Sequence, residues 1–318
     1  MVEVEEEEVR VVAEEVEESD MFPQHLQMGL SLSTMKSSKP PVRLREVWAD
    51  NLEAISRFPL VALDTEFPGT IFQLNRDKSS LSRATPYENY YLMKWNVDLL
   101  KIIQLGMTLS DSRGNLASFG SEYHYAWQFN FRDFNIEHDH YNAESIGLLE
   151  RQGIDLKKNR EKGIDSSDFG RLVLSSGLVS NNSSITWIAF HGAYDFGFLI
   201  KILTKRDLPS DLRSFLGMMR FFFGVRVYDA KFMMGCISGL HGGLERVAKL
   251  LGVERITRSR HQAGSDSLLT LQTFMRFKET CAKIDLEKLN GYEGMMFGLC
   301  EGWLGFTYTP DVFTGTLA

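Results

Sequence analysis

Cysteine is scarce in this sequence. Cys236, Cys281 and Cys300 are the only three in 318 residues. They are far apart and form no C-x-x-C pair, so they offer neither a zinc site nor a disulfide framework. A long apolar run is also missing. No stretch of about 18 residues is apolar enough to span a bilayer, and no membrane partner is expected. The N-terminus lacks the positive charge that a secretory or transit leader would carry. No internal repeat is visible. These absences fit a reducing compartment, with cytoplasm and nucleus as the expected locations.

Positive charge is in short supply overall, because the chain carries a net −7. That figure is misleading as a guide to partners. Residues 1–20 hold nine Glu, one Asp and one Arg, a net of −9, so residues 21–318 carry +2. The body permits a polyanionic substrate without arguing for one. Like charges at i,i+4 oppose a helix in the acidic stretch, and a solvated tail is expected there. A Ser/Lys/Pro linker, SLSTMKSSKPPVR, follows it. The expected organisation is an acidic tail and linker over 1–41, a folded domain over 42–300, and a C-terminal tail over 301–318.

Periodicity supplies the elements of that domain. REVWADNLEAISRF reads as an amphipathic helix and PLVALDTEF as a strand. Residues 71–96 look irregular, ending in the helical NYYLMKWNVDLL. IIQLGMTLSD is a strand closed by the turn DSRGN, and AWQFNFRDF is another of the same antiparallel group. NAESIGLLERQG is a helix with Asn142 as its cap and Gly153 as its stop, and SSDFGRLVLSSG is a further helix. The rhythm then switches: strand SITWIAFH, helix YDFGFLIKILTK, short strand VRVYDA, and helices GLERVAKLLG and DSLLTLQTFMRFKETCAK. An antiparallel group followed by strand–helix alternation predicts an α/β fold, a mixed β-sheet with helices on both faces.

The strand LVALDTEF poses a chemical problem. Leu60, Ala62, Asp64 and Glu66 share one face, because side chains alternate along a strand. Two carboxylates side by side on a half-buried face repel each other and lose solvation. A bound cation would offset that cost. Asp195 follows the strand ITWIAFH at the first turn of the next helix, and Asp266 opens the long C-terminal helix. His261 lies five residues before Asp266. If they converge, four carboxylates suit a pair of hard divalent ions, magnesium or manganese. A neutral imidazole beside them can take a proton from an attacking water. Phosphodiester hydrolysis is the reaction such a set serves.

The order Asp-x-Glu, distant Asp, then His-x4-Asp resembles the DEDDh exonuclease superfamily, whose fold is ribonuclease H-like. Longer runs sharpen the resemblance: ALDTEFPG, WQFNFRDFN, GIDLKKNREKGID, YDFGFLIKILT, LHGGLERVAKLLGVER and HQAGSDSLLT stand in family order. They are similar to the carbon catabolite repressor 4-associated factor 1, or Pop-two, deadenylases. The resemblance implies metal ligands at Asp64, Glu66, Asp195 and Asp266, with His261 as general base. It implies two divalent ions and shortening of messenger RNA poly(A) tails from the 3′ end, with release of 5′-AMP. It also implies docking on the NOT scaffold subunit of the CCR-NOT complex, beside a second deadenylase subunit. The family often reads FHSGYDFGYL where this chain has FHGAYDFGFL, with Gly192, Ala193 and Phe198.

Other residues carry two readings each. Phe67 is a stacking platform for a terminal base or packs under the strand. The basic cluster KKNREKG, with Lys157, Lys158 and Arg160, holds phosphates or is a solvated loop. Asp229 is expected to cap a strand end or pair with Lys231 rather than bind metal. His191 is expected to be hydrogen-bonded rather than catalytic, EHDHY to be a solvated loop, and the run RFFFG to be core. Two other functions share part of the pattern. Another DEDDh 3′-to-5′ exonuclease would share the acidic core but not NREKGID and LHGGL. A weakly catalytic adaptor of the deadenylase complex would carry a broken metal site, whereas all five residues are present here.

Overall fold

The computed structural model describes residues 57–73, 84–118, 124–179, 184–235, 237, 239–256, 261–281 and 291–300, with the pairs 10–11 and 35–36. Those two pairs form a short antiparallel ladder, Arg10–Val11 with Met35–Lys36, inside the segment expected to be a tail. The rest of that tail, the linker, nearly all of the helix expected over 45–58, and residues 301–318 lie outside the described residues.

Five strands form the central sheet: β1 Leu60–Glu66, β2 Gln104–Ser110, β3 Ala126–Asn130, β4 Thr186–Ala189 and β5 Val227–Asp229. Their spatial order is β3-β2-β1-β4-β5. β1, β2 and β3 pair antiparallel, whereas β4 and β5 run parallel to β1. The sheet is therefore mixed, as expected, with β1 at its centre, in a ribonuclease H-like arrangement.

Alternation along β1 divides the core in two. Val61 and Leu63 face one layer, with Trp187, Phe196, Phe169 and Phe215. Leu60 and Ala62 face the other, with Ile188, Leu271, Phe274 and Phe277. The first layer is built by α1 Pro86–Leu99, α4 Ser166–Ser175, α5 Ala193–Thr204 and α6 Leu212–Phe223. The second is dominated by α9 Ala263–Cys281, packed across β1, β2 and β3, with α7 Ala230–Gly235 and α8 Leu244–Leu250 beside it. The remaining helices, α2 Ala143–Arg151 and α3 Leu156–Lys162, follow β3.

Local chemistry explains most helix starts. Thr85 and Glu88 form a reciprocal capping box on α1, followed by Pro at its first turn. Asn142 caps α2 as expected, and Asp155, Asp165 and Asp211 cap α3, α4 and α6. Three expectations need correction. α1 starts at Pro86, inside a stretch read as irregular, because the capping box lies upstream of the apolar pattern. KKNREKG is largely helical, because Asp155 caps a segment too polar to show a periodicity. The RFFFG run is not uniformly core, because it lies on α6, where consecutive side chains point in different directions. Phe223 is buried and Phe221 is exposed.

Candidate active site

The site forms where the C-terminal end of β1 meets the first turns of α5 and α9. Asp64 stands opposite Gly106 of β2, and Glu66 opposite Gln104. Both carboxylates point to the face that α9 covers. Gly106 is what lets α9 come so close. A Cβ at that position would lie 1.9 Å from the Ala263 carbonyl oxygen, well inside van der Waals contact. The helix start therefore sits directly on the strand and carries Asp266 in with it.

Ligand atoms of Glu66, His261 and Asp266 lie within 4.8 Å of one another. Asp195 reaches the group from the opposite face of the sheet, on the first turn of α5, and accepts a 2.5 Å hydrogen bond from the Thr65 hydroxyl. Thr65 alternates with Asp64 and Glu66, so the strand uses both of its faces to bring the acids to one edge. The turn before α5 has its own anchor. His191 has φ 68, and buried Asp229 accepts from its N–H at 2.8 Å and from the Gly192 N–H at 3.2 Å. Asp229 also accepts from Lys231 N at 3.0 Å and Phe297 N at 3.0 Å. It is a backbone organiser, as expected. His191 is hydrogen-bonded through Nδ1 to Lys231 Nζ at 3.2 Å.

The electrostatics show what the cluster is suited to hold. Burial raises the Asp64 carboxyl well above its usual range, and Asp266, Asp195 and Glu66 push it further. Burial, then Asp266 and Asp195, lift Glu66 to about 8. Asp195 is pushed up to about 7, by burial first, against the lowering hydrogen bond from Thr65. Asp266 is raised by burial and held down by the Arg255 guanidinium. Four crowded acids holding their protons so tightly are a site for cations. Their hard oxygen donors fit a divalent ion such as magnesium or manganese.

Arg255 is one residue of the site that sequence reasoning missed. Its nearly buried guanidinium pairs with Asp266 at 2.5 Å, and also with Glu245 and Ser265. It ties the first turn of α8 to the start of α9. No local spacing singles out this arginine within LLGVER. Gly106 did leave a signal, since a lone glycine inside a strand marks close backbone approach.

Comparison with known proteins gives this geometry a lineage. The profile described as CAF1 family ribonuclease matches residues 42–167. Probable CCR4-associated factor 1 homolog 10 of Arabidopsis thaliana is 46% identical over 272 residues, covering 81% of this chain and 92% of the relative. The chain belongs to the CAF1 ribonuclease family. Poly(A) ribonuclease pop2 of Schizosaccharomyces pombe is 37% identical over 294 residues, covering 89% of this chain and 84% of that CAF1-family relative. Among solved structures, S. pombe Pop2p in its Mg2+ and Mn2+ bound form superposes with a TM-score of 0.71 at 36% identity, covering 80% of this chain and 96% of Pop2p. Yeast CAF1 co-crystallised with the NOT1 MIF4G domain gives a TM-score of 0.65 at 30% identity, over 80% of this chain and 92% of the other.

The residues read as substrate contacts are placed less uniformly. Phe67 is half-buried and its ring stacks on Tyr194, with centroids 5.1 Å apart, and packs on Phe198 at 5.0 Å. Packing rather than base stacking is what the geometry favours. Arg160 directs its guanidinium to the Arg132 carbonyl at 2.7 Å. Lys157 is exposed and Lys158 half-buried on α3. The loop leading into α3 touches the His261 segment, because Gln262 Nε2 donates to the Gln152 carbonyl at 2.9 Å.

Proposed function

We propose that this CAF1-family ribonuclease is a metal-dependent 3′-to-5′ exoribonuclease that shortens poly(A) tails and releases 5′-AMP. The observation that carries it is the convergence of Asp64, Glu66, Asp195 and Asp266 from β1, α5 and α9, with His261 at their rim. The Mg2+ and Mn2+ bound form of S. pombe Pop2p supports the assignment of these acids as ligands. Asp64, Glu66, Asp195 and Asp266 would hold two divalent ions, which supply positive charge for the scissile phosphate and its departing 3′ oxygen.

His261 then has one task. Its imidazole accepts a proton from the water whose oxygen attacks the phosphorus. The P–O3′ bond breaks, the 3′ oxygen leaves to be protonated, and the terminal nucleotide departs as a 5′-monophosphate. Lys157 and Lys158, on the helix reached through Gln152, are suited to hold the backbone of the incoming strand. The complex of yeast CAF1 with the NOT1 MIF4G domain supports docking on a NOT-type scaffold.

The test is digestion of a 5′-labelled RNA with a 3′ oligo(A) tail in magnesium, beside RNAs with a mixed tail and a DNA tail. Stepwise loss that stops at the tail boundary is expected. Equal digestion of every tail would make the protein a general exonuclease, and no digestion by folded protein would make it an adaptor.

A further inference from the structure

The start of α9 is capped from outside its own sequence. A helix leaves its first N–H groups without intrahelical partners. α1, α2, α3, α4 and α6 satisfy theirs with a local Thr, Asn or Asp. In α9 the first intrahelical bond runs from Asp266 N to the Gln262 carbonyl at 2.9 Å, which puts Gln262 at the cap position. The next two N–H groups go to the sheet. Ala263 N donates to Gln104 Oε1 at 3.3 Å, and Gly264 N donates to Gln128 Oε1 at 3.1 Å. Each glutamine also donates back: Nε2 of Gln104 and of Gln128 reach Gln262 Oε1 at 3.2 and 2.9 Å. Gln104 makes a further bond to Asn130 Oδ1 at 2.8 Å.

Strand register places this network against the acids. Residues directly opposite in an antiparallel pair share a face. Glu66, Gln104 and Asn130 form one row, and Asp64, Gly106 and Gln128 the next. Gln104 and Gln128 are 2% and 7% exposed, on a face where a helix would ordinarily be met by apolar side chains. Buried amides persist at such positions only when fully hydrogen-bonded. The residue just before the capped turn is His261, with φ 51, a backbone conformation that non-glycine residues rarely adopt.

We propose that Gln104 and Gln128 are positioning residues for His261. By gripping Gln262 and the first two amides of α9, they hold His261 in its left-handed conformation against Glu66 and Asp266. The inference rests on the ribonuclease reading above for its kinetic arm. It has a spectroscopic arm that does not.

The test uses Gln104→Met and Gln128→Met in the full chain, near-isosteric changes that remove the amide. On oligo(A) RNA each is expected to lower kcat about tenfold or more with KM within about twofold, the pattern of a misplaced group that does not bind ground-state substrate. In a His261→Ala background the same changes should alter kcat by less than about twofold, because the group they act through is gone. The His261 imidazole resonance should move in both variants while those of the other histidines stay. An unchanged kcat, an equal loss in the His261→Ala background, or an unmoved resonance would overturn the proposal. So would loss of folding in both variants, since the amides would then hold the fold rather than the histidine. If the wild type cleaves no RNA, the ribonuclease reading falls and the resonance alone decides the role of the glutamines.

Discussion

Asp64 and Asp266 sit in one acidic cluster, and burial raises both carboxyls, but their partners differ. Asp64 has acids around it, whereas Asp266 is paired with Arg255. Asp64→Asn removes a repelled buried charge, so the metal-free protein should gain about 1 kcal/mol or more while losing activity. Asp266→Asn relieves a raised carboxyl too, but it breaks the pair with Arg255, which keeps Glu245 and Ser265, so it should gain about 1 kcal/mol less than Asp64→Asn. Melting in a chelator checks both, and a larger gain in Asp266→Asn than in Asp64→Asn would contradict the placement of Arg255. His261→Ala should cut kcat by about a hundredfold or more, the usual weight of a general base, with RNA affinity held; single-turnover and binding measurements separate the two. The five chemical residues were legible because each lies in a short motif. Arg255, Gln104, Gln128 and Gln262 were not, because their partners lie in other elements and meet only through strand register and helix packing.

At the scale of elements, the contact between β2 and α9 decides whether there is a site. Gly106→Ala would drive a methyl group into the Ala263 carbonyl. The helix must lift, at about 2 kcal/mol or more, and Asp266 and His261 leave with it. A lowered melting temperature with activity lost out of proportion is expected; wild-type activity in Gly106→Ala would show that α9 does not rest on the strand at Gly106. The sheet and α9 were readable from sequence because strong alternation and a long amphipathic stretch mark them. α3 was not, since LKKNREK has no apolar stripe and depends on the Asp155 cap. α6 was hidden for another reason: its three consecutive phenylalanines look like a buried run, while the turn geometry exposes one and buries another.

For the whole molecule, protons and divalent ions compete for the same carboxylates. Glu66 releases its proton at about 8 in the folded protein, against about 4 in the unfolded chain. Between those values the folded state holds a proton that the unfolded state has lost, so rising pH favours unfolding. Asp195, at about 7, acts in the same direction. In chelator the melting temperature should fall from about pH 5 to about pH 8, and magnesium should restore more at the upper end. A melting temperature that climbs across this window would show that the acids do not crowd one another. The most direct measurement is calorimetric titration of manganese into the full chain at pH 8, beside Asp64→Asn and Asp195→Asn. The wild type should bind two ions with release of protons, and each variant should lose one or both sites. Binding that is absent in the wild type, or equal in all three proteins, would contradict the account.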